Sequence, residues 1–341
     1  MARLRYPAPA AVSNCLRSER LDAARIAPTW TWVDQANDRT VIGRGGRRRV
    51  GVEIEFGKLD SDRAAAAVQR RFGGTIESGG PHRVAVRNTE LGDFRVELDW
   101  GWVHGTAGKG GVVDKAKTLL ADLGREVVPT ELVTPPMPAG RLPEIDSLVM
   151  DFVELGAEGT RSGLFNGFGL HLNPSLAADD LAADPIRRVL QAYLLEAPAL
   201  RVAIDVDPMR RLLPFVEPFP QPYIDHVLHP DYAPSLEQLI DDYIRFSPTR
   251  NRELDLLPLF AQIDEERIRR ALPDPRVSAR PTFHWRLPNA DIEDPNWTVA
   301  GQWARWQRIE EMACDTAALT ERLTERVQVL EGRESVWASL F

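Results

Sequence analysis

The chain has 341 residues, with 42 basic and 50 acidic side chains and a formal net charge of −8. That balance argues against nucleic acid as a partner, because the chain would repel phosphate. An apolar fraction of 43% and nine tryptophans argue against disorder, and no apolar run reaches the ~18 residues of a membrane helix.

Cys15 and Cys314 are too few for a disulfide framework or a zinc cage, so a reducing cytoplasm is expected. The first ten residues are broken by Pro7 and Pro9 and lack the apolar stretch of a secretion signal. With six histidines and two cysteines, carboxylates are the main supply of metal ligands, which favours hard cations such as Mg²⁺.

Residues 1–49 read as an irregular lead-in. Its run from Gly43 to Arg49 lacks the Gly-Lys-Ser/Thr ending of a phosphate loop and reads as a solvated turn. Val50 to Phe56 alternates with period two, so Val50, Val52, Ile54 and Phe56 share one face of a strand and Glu53 and Glu55 the other. Ser61–Phe72 reads as a helix, with Asp60 or Ser61 as its cap and Gly73-Gly74 as its stop. Thr75–Ser78, Arg83–Asn88 and Phe94–Asp99 read as strands between glycine-rich turns. Val112–Leu123 reads as a helix, Glu126–Thr134 as a strand closed by Pro135-Pro136, Pro143–Leu155 as a helix and Gly167–Asn173 as a strand.

Helical periodicity then dominates, over Leu181–Leu195, Ser235–Phe246 and Asp264–Leu272. Thr282–Leu287 reads as one late strand, and Trp297–Leu330 as a long terminal helix with Arg and Glu at i,i+3 and i,i+4 spacings. Strands gathered early, with helices between and after, suggest an α+β fold with an antiparallel or mixed sheet. The length allows one large domain or two small ones, and one large domain over residues 50–341 is expected. Its sheet strands would lie at about 50–175 and 280–288, with a helical insertion over 178–275 and a helical tail over 296–335.

The sharpest local signal is Glu53-Ile54-Glu55. Two carboxylates on one face of a central strand repel unless a cation sits between them; on a wet face they are unremarkable. Glu97 and Asp99 repeat the spacing, and Glu131 is a lone acid in an apolar strand. In Asn166-Gly167-Phe168-Gly169-Leu170-His171-Leu172-Asn173 the glycines permit close backbone approach, and His171 and Asn173 share a face. Each of these has a plain reading as an edge charge or a core histidine. As a set they describe a sheet face suited to divalent cations and phosphates. Arg210-Arg211 ahead of Glu217, and His284 and Arg286 on the late strand, add positive charge; Arg suits phosphate because its fork reaches two oxygens.

Taken in order, these segments resemble the glutamine synthetase and glutamate–cysteine ligase superfamily, and more closely the bacterial amidoligases. The resemblance spans about residues 50–290: Glu53-x-Glu55, the acid Asp99, Glu131 to Pro135, Asn166 to His171, Arg210 to Glu217, and Phe283 to Asn289. It implies a glutamine-synthetase-like catalytic domain, with a curved, mostly antiparallel sheet and helices packed on one face. It also implies ATP and two Mg²⁺ ions. Glu55, Asp99 and Glu131 would hold one ion, and Glu53 and His171 the other. His284 stands where the family has a glutamate, which removes one anionic ligand or shifts ligation to imidazole. The resemblance further assigns Arg286 to the transferred phosphoryl group and Arg211 to a substrate carboxylate or phosphate. Asn173 would lie beside the nucleotide phosphates, Asn166 and Gly167 at an amino-acid corner, and Glu217 would take a proton from the amine.

The implied activity is an ATP-dependent ligase that joins a small-molecule or peptide carboxylate to an amine through an acyl phosphate. The alternatives are a small-molecule phosphotransferase on the same fold, or a catalytically impaired nucleotide-binding or scaffold protein. Neither nucleic acid nor membrane is an expected partner, and homo-oligomerisation is left open.

Overall fold

The structure, a computed structural model, describes residues 48–80, 82–98, 128–163, 166–212 and 216–339. Asp99, the helix expected over Val112–Leu123 and nearly all of the lead-in lie outside the described residues.

Among the described residues, nine strands form one open sheet in which every ladder is antiparallel. They are β1 (Arg49–Phe56), β2 (Thr75–Ser78), β3 (Arg83–Thr89), β4 (Gly92–Leu98), β5 (Thr130–Val133), β6 (Met137–Pro138), β7 (Leu170–Pro174), β8 (Leu254–Asp255) and β9 (His284–Trp285). The spatial order is β2-β3-β4-β5-β1-β7-β9-β8, with β6 pairing the start of β1. The apolar alternation of β1 therefore belongs to a central strand, between β5 and β7.

Sheet geometry sends alternate side chains to opposite faces. On one face Val50, Val52, Ile54 and Phe56 are fully buried, together with Leu132, Val96 and Leu172 of neighbouring strands. Helices cover this face. α1 (Ser61–Phe72) packs on β3 and β4, with Phe72 stacked on Phe94 at 5.4 Å. α2 (Leu142–Glu154) sets Phe152 5.0 Å from Phe56. Further helices follow: α3 (Ala183–Ile204), α4 (Pro208–Leu212), α5 (Gln221–Val227), α6 (Leu236–Phe246), α7 (Leu257–Ile263) and α8 (Glu265–Ala271). α9 (Val299–Cys314) brings Trp306 to 5.7 Å from Trp285 of β9 and packs along α3. With the helices on the apolar face, the carboxylate face is left to form a cavity.

Where the pattern foretold one helix over Trp297–Leu330, there are two. Asp315 leaves helical geometry (φ −82°, ψ 86°) after α9, and its carboxylate accepts from the Ala318 amide at 3.0 Å, starting α10 (Thr316–Ser339). An aspartate offers helix N-termini a better acceptor than the i−4 carbonyl it forgoes. The late strand is only two residues long, although the chain on either side of it stays beside β7 through the bridges Ser175–Thr282 and Gly169–Asn289. α4, α5, α7 and β8 were not foreseen; each is too short for periodicity to declare it.

Candidate metal- and anion-binding site

The antiparallel register puts Glu53 opposite His171 of β7 and Glu55 opposite Glu131 of β5, which itself faces Glu97 of β4. On the far side, Asp255 of β8 faces His284 of β9. Strands distant in sequence thus deliver acid and imidazole groups to one face.

Glu53 is the hub. Only 13% of its side chain is exposed, so its charge requires partners. Asn173 donates its amide N–H to Oε1 at 3.0 Å, and His171 Nδ1 lies 3.1 Å from Oε2. The Arg280 guanidinium is 3.5 Å from Oε1. Burial works against the charge on Glu53, but the hydrogen bond from His171 and the nearby Arg280 favour it, and the carboxyl is held well below the usual range.

These partners settle the imidazole tautomers. A carboxylate only accepts, so His171 must donate from Nδ1, which leaves the lone pair on Nε2. Asn173 spends its N–H on Glu53 and therefore presents its oxygen to His284 Nδ1, 2.7 Å away. His284 Nδ1 carries the proton in that bond, and its lone pair too is on Nε2. Burial keeps both rings neutral: His171 is lowered to about 4, and His284 falls well below its ordinary value, helped by Arg286. A neutral imidazole, oriented from its other nitrogen, is ready to ligate a metal.

Two groups of potential ligand atoms result. Glu53, His171 and His284 form one, and Glu55, Glu131 and His171 the other; within each, the atoms lie within 4.8 Å of one another. His171 belongs to both, and with a single lone pair it can serve one ion at a time. The Glu55 carboxylate also accepts from the Gly169 amide at 2.7 Å. The donor set of carboxylates with one or two imidazoles fits a divalent cation.

The cavity above these groups encloses about 340 Å³. The sheet supplies Glu53, Glu55, Glu97, Glu131, His171 and the exposed Arg95. The segments around β8 and β9 supply Asp255, Arg250, Arg276, Arg280, His284 and Arg286. Asp255 is fully buried, and burial raises its carboxyl against the pull of Arg286.

Of the residues expected from sequence, Glu53, Glu55, Glu131, Gly167, His171, His284 and Arg286 all line this cavity, and buried Asn173 braces two of them. The others are placed elsewhere. Asn166 donates to the Gly159 carbonyl at 3.2 Å. Glu217 is half-buried and pairs with Arg252 at 3.3 Å. Arg211 is exposed on α4, whereas its neighbour Arg210 is buried and lines the cavity.

Arg210 donates to the carbonyls of Arg286 (2.5 Å), Leu287 (2.8 Å) and Pro288 (2.7 Å) and to the Asn289 side chain (3.3 Å). Burial lowers it to about 10, and it still carries its charge at neutral pH. It anchors the strand exit that carries Arg286. Gly169 is pressed against this guanidinium: a Cβ there would lie 2.8 Å from Arg210 Nη2 and 3.1 Å from His171 Nε2. Asp255, Arg250, Arg276 and Arg280 were not foreseen, because their only signal is the pairing of β8 with β9.

An open antiparallel sheet thus brings acid and imidazole groups on one face together with guanidinium groups in one cavity. The chain belongs to the amidoligase family: residues 46–307 match the family described as "putative amidoligase enzyme", well over half of the sequence. No curated protein and no solved structure matches it. Membership points to a ligase-type enzyme. No described helix is long and apolar enough to cross a membrane.

Proposed function

We infer that the protein is an ATP- and Mg²⁺-dependent carboxylate–amine ligase on a glutamine-synthetase-like sheet. The observation that carries this reading is the meeting, in one cavity, of two overlapping acid–imidazole groups with a set of arginines. Glu53, His171 and His284 would hold one Mg²⁺, and Glu55 and Glu131 the other, with Asp99 as the further ligand the family resemblance offers. Bound there, Mg²⁺ neutralises charge on the phosphates of ATP.

A carboxylate is a poor electrophile because hydroxide is a poor leaving group. In the proposed reaction the substrate carboxylate attacks the γ-phosphorus of ATP, and the bond to ADP breaks. An amine then attacks the acyl carbon, and inorganic phosphate departs with its bonding electrons. Arg286, nearly buried, stabilises the transferred phosphoryl group. Asp255 lines the cavity with a carboxyl raised by burial, so it is suited to receive the amine proton there. Glu217 and Arg211, outside the cavity, have no place in this scheme. The enclosed cavity limits hydrolysis of the acyl phosphate.

Purified protein should release ADP from MgATP only when both a carboxylate and an amine are supplied, with the amide detected by mass spectrometry. Glu53→Gln and Glu55→Gln should each abolish turnover. Full activity in both variants would overturn the site. A stable phosphorylated product without amide would show phosphotransfer instead.

A further inference from the structure

Four arginines face the cavity from the segments around β8 and β9, and their donors are unequally engaged. Arg276 is held at both ends by Asp274, at 2.9 and 2.7 Å. Arg280 reaches Glu53 at 3.5 Å, and its Nη2 lies 3.3 Å from His284 Nδ1. Arg286 reaches Asp255 only at 3.8 Å, and its buried Nε has no hydrogen-bond partner. Arg250, half-buried between α6 and β8, makes no side-chain hydrogen bond and no ion pair among the described residues.

An enclosed guanidinium without an acid is costly, and a second one beside it adds repulsion. Burial and Arg286 both disfavour the charge on Arg250, while Asp255 and Asp274 offset this in part. Like charges gathered at a concave wall, with unspent donors, call for a counter-ion. A planar fork beside a second free donor suits an oxyanion reached by both.

We propose that Arg250 and Arg286 together bind one oxyanion group of a substrate, which makes Arg250 a substrate-binding residue. The group is a phosphoryl or a carboxylate, supplied by the nucleotide or by the acid to be ligated. The inference rests on the cavity being the substrate site, and its test needs no turnover.

Calorimetry on the full chain with Mg²⁺ uses tripolyphosphate, a non-hydrolysable ATP analogue and glutarate as probes. Arg250→Gln should weaken at least one probe by about tenfold or more, and Arg250→Lys by less, since lysine keeps the charge but loses the fork. Loss with tripolyphosphate and the nucleotide analogue assigns the group to ATP; loss with glutarate alone assigns it to the acid substrate. Arg245→Gln removes an exposed charge stacked on Phe246 and should leave every probe unchanged.

Without anion, Arg250→Gln should melt no lower than the parent, because it deletes a charge that its surroundings disfavour on balance. A fall of more than about 5 °C would mark a structural role and overturn the proposal. So would equal binding of all probes by parent and Arg250→Gln, or no binding of any probe by the parent. Arg250-dependent anion binding without amide formation would refute the ligase reading and leave this one standing.

Discussion

At the scale of single residues, the site depends on side chains that brace other side chains. Asn173 fixes which nitrogen of His284 carries the proton while it donates to Glu53. Arg210 gathers three successive carbonyls at the exit of β9. Gly169 is the point where these two systems nearly meet. Arg210 is held by four acceptors and cannot swing away cheaply, so a methyl group at Gly169 must displace it or His171. Gly169→Ala should cost about 1–3 kcal/mol in urea unfolding and weaken Mg²⁺ binding measured by calorimetry. Unchanged Mg²⁺ affinity would show that the close approach does not matter to the metal ligands. The glycine-rich segment was legible in the sequence as a place of close backbone approach. The partner it approaches was not, since Arg210 lies 41 residues further along the chain.

At the scale of elements, α3 and the strand edge are joined by one ion pair. Arg201 grips Glu253 with two bonds, at 2.7 and 2.6 Å, and Glu253 has no exposed surface. Glu253 immediately precedes β8, and its carbonyl accepts from the Arg286 amide at 2.8 Å. Arg201→Ala would strand a buried carboxylate and should destabilise the fold by about 3–5 kcal/mol in chemical denaturation. The paired change Arg201→Met with Glu253→Leu should cost distinctly less, because neither charge is then left alone. Equal losses in the two variants would count against this account. The longer elements, β1, α1, α2 and α6, followed the sequence pattern closely, as periodicity and caps act locally. Two-residue strands such as β8 and β9 exist only because a neighbour pairs with them.

At the scale of the molecule, the sheet concentrates acids on one face, at the cost of their mutual repulsion. A cation bound there, as proposed, would relieve that repulsion and favour the folded chain by mass action. Saturating Mg²⁺ should therefore raise the melting temperature of the parent by several degrees, on the order of 5 °C for 2 kcal/mol of linkage. Glu131→Gln should abolish most of that rise. The same Mg²⁺-induced rise in the variant would remove Glu131 from the ligand set.

The sequence by itself determined the α+β class, the two-faced character of β1 and most of the acid and imidazole groups of the cavity. Each of these is written in residues close enough along the chain for strand or helix period to align them. Only the tertiary structure decided which strands lie side by side, and with that the pairing of Glu53 with His171 and of Asp255 with His284. It also exchanged Arg211 for Arg210 at the cavity and brought in Arg250 and Arg280. The physical reason is range: backbone periodicity orders side chains over a few residues, whereas the cavity is assembled by antiparallel pairing between segments from about thirty to more than a hundred residues apart.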